Sequence, residues 1–323
     1  MERRITAALA ATLLGCTVLT ACGEEAPADE TGSVPAASAT ARADKRVVLK
    51  PGKNYGNDYR DGVLPVGDAR YVTTGAKKGY VYACATYAQA LGQGGGGAQS
   101  RGPWFSADGT TYDIDQKISV SGTVDWPADS SVVAKGQQRI VTTNDLPEHH
   151  TGTFPVETTD PAYVYDRNPN TISAQHVSLT LTRNPTYGAP QCMGGQVGVM
   201  TTGAELYSAF DAGGRDAGAW EVQDGCEGHP QPQGAYHYHT LSSCIHHASV
   251  HKVIGWALDG FPITGPVVGK GNLLTTKDLD QCHGITSTVK VDGTMTTTYH
   301  YVMTQDFPYS VSCYRATPVS LGP

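Results

Sequence analysis

Tyr236-His237-Tyr238-His239 is the stretch of the chain whose residue types and spacing are best suited to chemistry. Neighbouring side chains on a strand point to opposite faces, so both tyrosines would share one face and both histidines the other. Two imidazoles at i and i+2 lie about 6–7 Å apart at the backbone, close enough to reach one ion. Tyr299-His300-Tyr301 repeats the pattern with one histidine, because Val302 stands where the first run has His239. A third ligand, from His300 or from His229 or His283, would complete a three-histidine site. Such a site suits Zn²⁺ or Cu²⁺ and keeps a coordination position open. Asp224, Asp259 and Asp280 are the carboxylates expected to orient the imidazoles. Tyr236 and Tyr301 are expected to pack inward close by, where a copper ion would permit oxidation chemistry.

Three other readings stand beside the metal site. The histidines could be purely structural, or one could pair with an aspartate in a metal-free acid–base hydrolase. In a reading of a different class, the chain is a non-catalytic surface module for a glycan or protein. Trp104, Trp126, Trp220 and Trp256 would then be its contact platforms. His149-His150 sits in a loop flanked by proline and glycine and is the other pair to watch. The remaining histidines (His176, His246, His247 and His251) read as solvated or structural. There is no Gly-x-Ser-x-Gly elbow, His-Glu-x-x-His pair or phosphate loop; the Gly92–Gly97 run lacks the Lys-Ser/Thr that would hold a phosphate.

The elements that must position these residues look duplicated. Gly198 to Gly203 is answered by Gly255 to Gly260, Asp224-Gly-Cys226 by Asp280-Gln-Cys282, and the first Tyr-His-Tyr by the second. Each unit closes on a further cysteine, Cys244 or Cys313. Units at about 196–250 and 253–315, packed about a pseudo-twofold axis, are the expectation. That logic pairs Cys226 with Cys244 and Cys282 with Cys313, leaving Cys84 for Cys192. His176–Thr182 alternates, with Val177, Leu179 and Leu181 on one face, and Asp292-Gly293 reads as a hairpin turn. Gly79–Cys84 and Lys117–Ser121 are further strand candidates, and Thr86–Leu91 a turn or two of helix. Abundant glycine (38 residues) and few charges (16%) fit a strand-and-loop protein. The expected fold is all-β, a mainly antiparallel sandwich or barrel-like arrangement stapled by disulfides.

The N-terminus supplies an address. Arg3-Arg4, an uncharged apolar stretch from Ile5 to Leu19, and Leu19-Thr20-Ala21-Cys22 have the anatomy of a secretory signal. The final box resembles that of bacterial lipoproteins, which implies a signal peptide over 1–21 and a lipid on Cys22. The apolar run is shorter than the ~20 residues of a spanning helix. Residues 22–44 then read as a lipidated cysteine plus flexible linker, and 45–323 as the β-rich globular region. The expected location is the outer face of a cell membrane, where an even number of remaining cysteines pairs as disulfides. Losing Glu2, Arg3 and Arg4 takes the net charge from −7 to −8. No basic stripe points to nucleic acid.

At Tyr236–His239 the chain resembles the YHYH-domain family, named for that tetrapeptide. Phe210-Asp-Ala-Gly-Gly, Asp224-Gly-Cys-Glu-Gly-His-Pro230, Ile254-Gly-Trp-Ala-Leu-Asp-Gly-Phe-Pro262 and Phe307-Pro-Tyr-Ser-Val-Ser-Cys313 extend the resemblance. So do Gly102-Pro-Trp104, Asn144-Asp-Leu-Pro147 and Thr151-Gly-Thr-Phe-Pro155. It covers roughly 70–318, with a core about 150–318. The resemblance implies an exported or surface-attached protein and supplies no substrate or reaction. The single strand histidine of the second unit argues for one shared site over two.

Overall fold

Short β-branched and aromatic runs between glycines and prolines give strands, and among the described residues only one turn of α-helix, α1 (Ala217–Trp220), forms. The computed structural model describes residues 46–55, 62–87, 100–269 and 271–321. The signal-like segment, Cys22, the linker, the Gly92–Gly97 run and most of the turn expected at Thr86–Leu91 lie outside them. The described residues belong to one unit, Asp44–Pro323. Among them, no helix is long and apolar enough to cross a membrane.

The N-terminal part supplies small pieces. β1 (Val63–Pro65) pairs with β4 (Thr111–Asp113), and β2 (Tyr71–Val72) runs parallel to β3 (Val81–Tyr82). Lys117–Ser121, expected as a strand, makes only an isolated bridge from Val120 to Asp224. β5 (Ser130–Lys135), β6 (Gln138–Thr143) and β7 (Val177–Thr182) form an antiparallel meander. The alternation read in β7 holds: Leu179 and Leu181 are buried between exposed Ser178, Thr180 and Thr182. With Val141 of β6, these leucines share a core with Val197, Ile254 and Trp256 of the main sheet. The meander therefore forms a second layer.

The main sheet has eight strands: β8 (Gln196–Met200), β9 (Glu205–Tyr207), β10 (Gly228–Pro230), β11 (Tyr236–Tyr238), β12 (Val253–Ala257), β13 (Pro262–Thr264), β16 (Gly284–Val291) and β17 (Thr294–Val302). β14 (Val267–Gly269) and β15 (Asn272–Leu273) form a separate pair. The main order is β10-β11-β9-β8-β12-β13-β17-β16. Counted outward from the β8–β12 seam, each half makes an antiparallel, then a parallel, then an antiparallel junction. The sheet is thus mainly antiparallel, with two parallel junctions. The β16–β17 hairpin turns on Asp292-Gly293, both at positive φ, as a two-residue turn of that composition should. Its tip is exposed, so Met295 faces solvent, not the core shared by Tyr299 and Tyr301.

All three disulfides form as the marker order suggested: Cys84–Cys192, Cys226–Cys244 and Cys282–Cys313. Two carboxylates organise the outer hairpins. The Asp224 oxygens lie 3.0 Å from the Tyr236 hydroxyl and accept the backbone N–H groups of Cys226 and Gly228. Asp280 does the same for Tyr299, Cys282 and Gly284. Gly228 and Gly284 are needed for close approach, since a Cβ at either would collide with the tyrosine hydroxyl.

Candidate metal centre

The site lies in the first half of the main sheet, inside the loop that Cys226–Cys244 closes. In the β10–β11 pair, His229 stands directly opposite His237. His239 follows two residues after His237, on the same face. Tyr236 and Tyr238 point the other way into the main core, as alternation requires. The histidines are not on an open surface: His229, His237 and His239 are all buried. Tyr207 of β9 stacks on the His237 ring, with centroids 4.1 Å apart.

Backbone carbonyls set the ring orientations. His239 Nδ1 lies 2.5 Å from the Ser208 carbonyl oxygen, and His237 Nδ1 lies 3.4 Å from that of Ala235. A carbonyl only accepts, so each Nδ1 carries the proton and each neutral ring presents a lone pair at Nε2. These two Nε2 atoms are 3.1 Å apart. Burial pushes the His237 pKa well below its ordinary value and that of His239 down to about 4, which keeps both rings neutral. Two lone pairs facing each other at that distance repel unless a cation lies between them.

Glu221, which ends α1, completes the set. Its Oε2 is 3.3 Å from His239 Nε2 and 3.5 Å from His229 Nε2, with 12% of the side chain exposed. Neither Glu221 Oε2 nor His229 Nε2 has a hydrogen-bond partner. Burial, then the nearby Asp211 and Asp166, push the Glu221 pKa well up. Nitrogen ligands about 2.05 Å from a tetrahedral ion stand roughly 3.3 Å apart, and the separations here are 3.1, 3.3 and 3.5 Å. The ligand atoms of His229, His237 and His239 all lie within 4.8 Å of one another. These residues fit a divalent ion. His229 is the least committed ligand. Asn168, whose oxygen accepts the Asn170 N–H, turns its NH₂ towards His229 Nδ1 at 3.4 Å.

Other expected participants lie elsewhere. β17 is five strand spacings from β11 in the sheet order, on the order of 20 Å at about 4.8 Å per spacing. His300 is therefore not a shared ligand. Its Nδ1 meets the Thr264 hydroxyl at 2.9 Å and its Nε2 the Ser287 hydroxyl at 2.8 Å. His283 Nε2 meets the Thr304 hydroxyl at 3.0 Å. Asp224 and Asp280 serve the tyrosines and backbone described above. Asp259 accepts from the Tyr301 hydroxyl at 2.6 Å and from the Arg315 and Ala316 N–H groups. The sheet therefore replaces the single shared site with one confined to the first half.

Two neighbours escape a reading by motif. Glu221 has no motif around it and reaches the site only because α1 turns the chain there. Lys117 is the other: its ammonium donates to the Gly218 carbonyl at 2.7 Å and to Gln223 Oε1 at 2.5 Å. Burial lowers its pKa to about 8 against the pull of surrounding carboxylates. Lys117 lines a cavity of about 500 Å³ with Gln223, Glu227 and Thr240, the last directly following His239. A second His/Cys group, His149 with Cys226 and Cys244, also gathers within 4.8 Å, with both sulfurs in the disulfide.

No curated protein and no solved structure matches the chain. A family model described as "YHYH protein" matches residues 177–272. That span runs from β7 to β15 and includes His229, His237, His239 and Glu221, while His283 and His300 fall beyond it. Over residues 177–272 the chain is therefore similar to the YHYH family.

Proposed function

We propose that the domain binds one divalent ion, copper or zinc, through His237, His239, His229 and Glu221. The observation that carries this reading is the pair of neutral Nε2 lone pairs 3.1 Å apart, with the Nδ1 side of each ring held by a carbonyl. Imidazole with one carboxylate suits both ions, and copper binds such a set the more tightly. A bound ion would act as a Lewis acid on an incoming oxygen, and copper would add one-electron chemistry. In the same proposal the chain is an exported lipoprotein, held to the outer face of a membrane by a lipid on Cys22. The two matching halves of the sheet would descend from one duplicated unit.

The surface-module reading keeps only two half-buried platforms, Trp126 and Trp220. Trp104 and Trp256 are buried, and Trp126 and Trp220 pack against core clusters. Elemental analysis of the untagged chain without its lipid anchor tests the metal reading. Near-stoichiometric metal supports it; none after exposure to both ions contradicts it.

A further inference from the structure

The Cys226–Cys244 disulfide lies against a third potential ligand. Cys226 Sγ, Cys244 Sγ and a nitrogen of His149 all fall within 4.8 Å of one another. His149 Nδ1 lies 2.8 Å from the His150 carbonyl oxygen, so it carries the proton and leaves the lone pair on Nε2. That lone pair accepts the Tyr238 hydroxyl, which also has Thr202 Oγ1 at 3.1 Å as an alternative partner. Cys226 is buried, whereas His149 and Cys244 are half-buried, so the pair is reachable from solvent on one side. The Cys282–Cys313 disulfide at the matching place in the other half is fully buried and, among the described residues, belongs to no such group.

We propose that Cys226, Cys244 and His149 form a second metal site, for a thiophilic ion such as zinc(II) or copper(I), which exists only when their disulfide is reduced. A dithiol donor would supply the two electrons. Its two thiols become a disulfide, the Cys226–Cys244 bond breaks, and each freed sulfur takes one of the donor's protons. Metal binding then releases both thiol protons to water, and His149 exchanges the Tyr238 hydroxyl for the ion. Two thiolates and one imidazole are a ligand set for zinc or copper(I). On reduction the two sulfurs would separate from bonding distance to the roughly 3.8 Å spacing of thiolates on one tetrahedral ion, and the His149 nitrogen already lies within 4.8 Å of both. Cys226 is three residues before His229, so one short loop would present a hard-to-borderline site when oxidised and a soft one beside it when reduced. The proposal does not rest on the imidazole–carboxylate site being occupied.

Cobalt(II) added to the full mature chain reduced by a phosphine under argon tests this directly. The expected result is the intense near-ultraviolet thiolate-to-cobalt absorption. Cys226→Ser/Cys244→Ser should abolish it, and His237→Ala/His239→Ala should keep it. His149→Ala should weaken cobalt binding at least about tenfold. Tyr238→Phe, which removes the hydroxyl competing for His149, should tighten it. The proposal is overturned if alkylation maps both thiols as free and no such absorption develops. It is equally overturned if the absorption survives in the double-cysteine variant, or if reduction of this bond collapses the fold without binding.

Discussion

The two halves of the main sheet use one scaffold for different ends. In each, an aspartate holds a buried tyrosine hydroxyl and the N–H groups of a Cys-x-Gly turn. In each, the residue before that glycine takes positive φ, Glu227 in one and His283 in the other. The faces then diverge. The register that sets His229 opposite His237 sets Ile285 opposite His300, and Val302 occupies the place of His239. One half gathers imidazoles with unmet lone pairs; the other surrounds a lone imidazole with hydroxyls that satisfy both nitrogens. The scaffold is therefore separable from the chemistry. At two of the three corresponding positions the halves differ, His229 against Ile285 and His239 against Val302, and only the first half gathers a ligand set.

The largest expected effect lies in the structural half. Asp280 pairs with Arg315 at 2.7 Å, and the two side chains are 4% and 0% exposed. Asp280→Ala removes the carboxylate paired with that buried guanidinium and should cost about 3–5 kcal/mol. Asp224, held by hydroxyl and backbone donors, should cost less on the same change, about 1–3 kcal/mol. Urea unfolding of both variants checks the ranking, and equal losses would erase the distinction.

Next is His300→Ala, which strands the buried Ser287 hydroxyl and takes from Thr264 the shorter of its two hydrogen bonds. It should cost about 1–3 kcal/mol in urea unfolding and leave metal content unchanged. Loss of metal in that variant would restore a shared site.

The same histidine gives a pH signature. Burial holds the folded pKa values of His300 and His283 at about 3, whereas an unfolded imidazole titrates near about 6.5. The unfolded chain takes up these protons first, so their contribution to stability is present above about pH 6.5 and falls away towards pH 3. His300→Gln should make that acid limb shallower by up to about 1.4 kcal/mol per pH unit. Urea midpoints measured across the range would reveal an unchanged slope if His300 does not titrate in this way.

The smallest effect is expected at His229. Its Nδ1 faces the Asn168 amide, so it is the weakest ligand, and His229→Ala should lower metal affinity only about tenfold, or about 1.4 kcal/mol. Calorimetric titration of the purified domain with zinc checks this. A loss equal to that of His239→Ala would make the three ligands equivalent.

What was legible in the sequence followed from local periodicity. Leu179 and Leu181, the Asp292-Gly293 turn and the shared face of His237 and His239 are all set within a few residues. The order of markers also led to the three cysteine pairings. Strand order was not legible: His300 looked like a partner until the sheet placed it five spacings away. His229 entered the cluster through the β10–β11 register. Glu221 entered through a one-turn helix with no periodic signal of its own. Burial of the whole histidine face was likewise missed, because alternation tells which residues share a side but not what covers it.

The central claim is that the first half alone holds the ion. Its most direct test is the metal content of the untagged mature domain, wild type against His237→Ala/His239→Ala and against His300→Ala. One equivalent of copper or zinc in the wild type and in His300→Ala, and none in the double variant, is the predicted result. Metal-free wild type after incubation with both ions, or metal retained by a folded double variant, would contradict it.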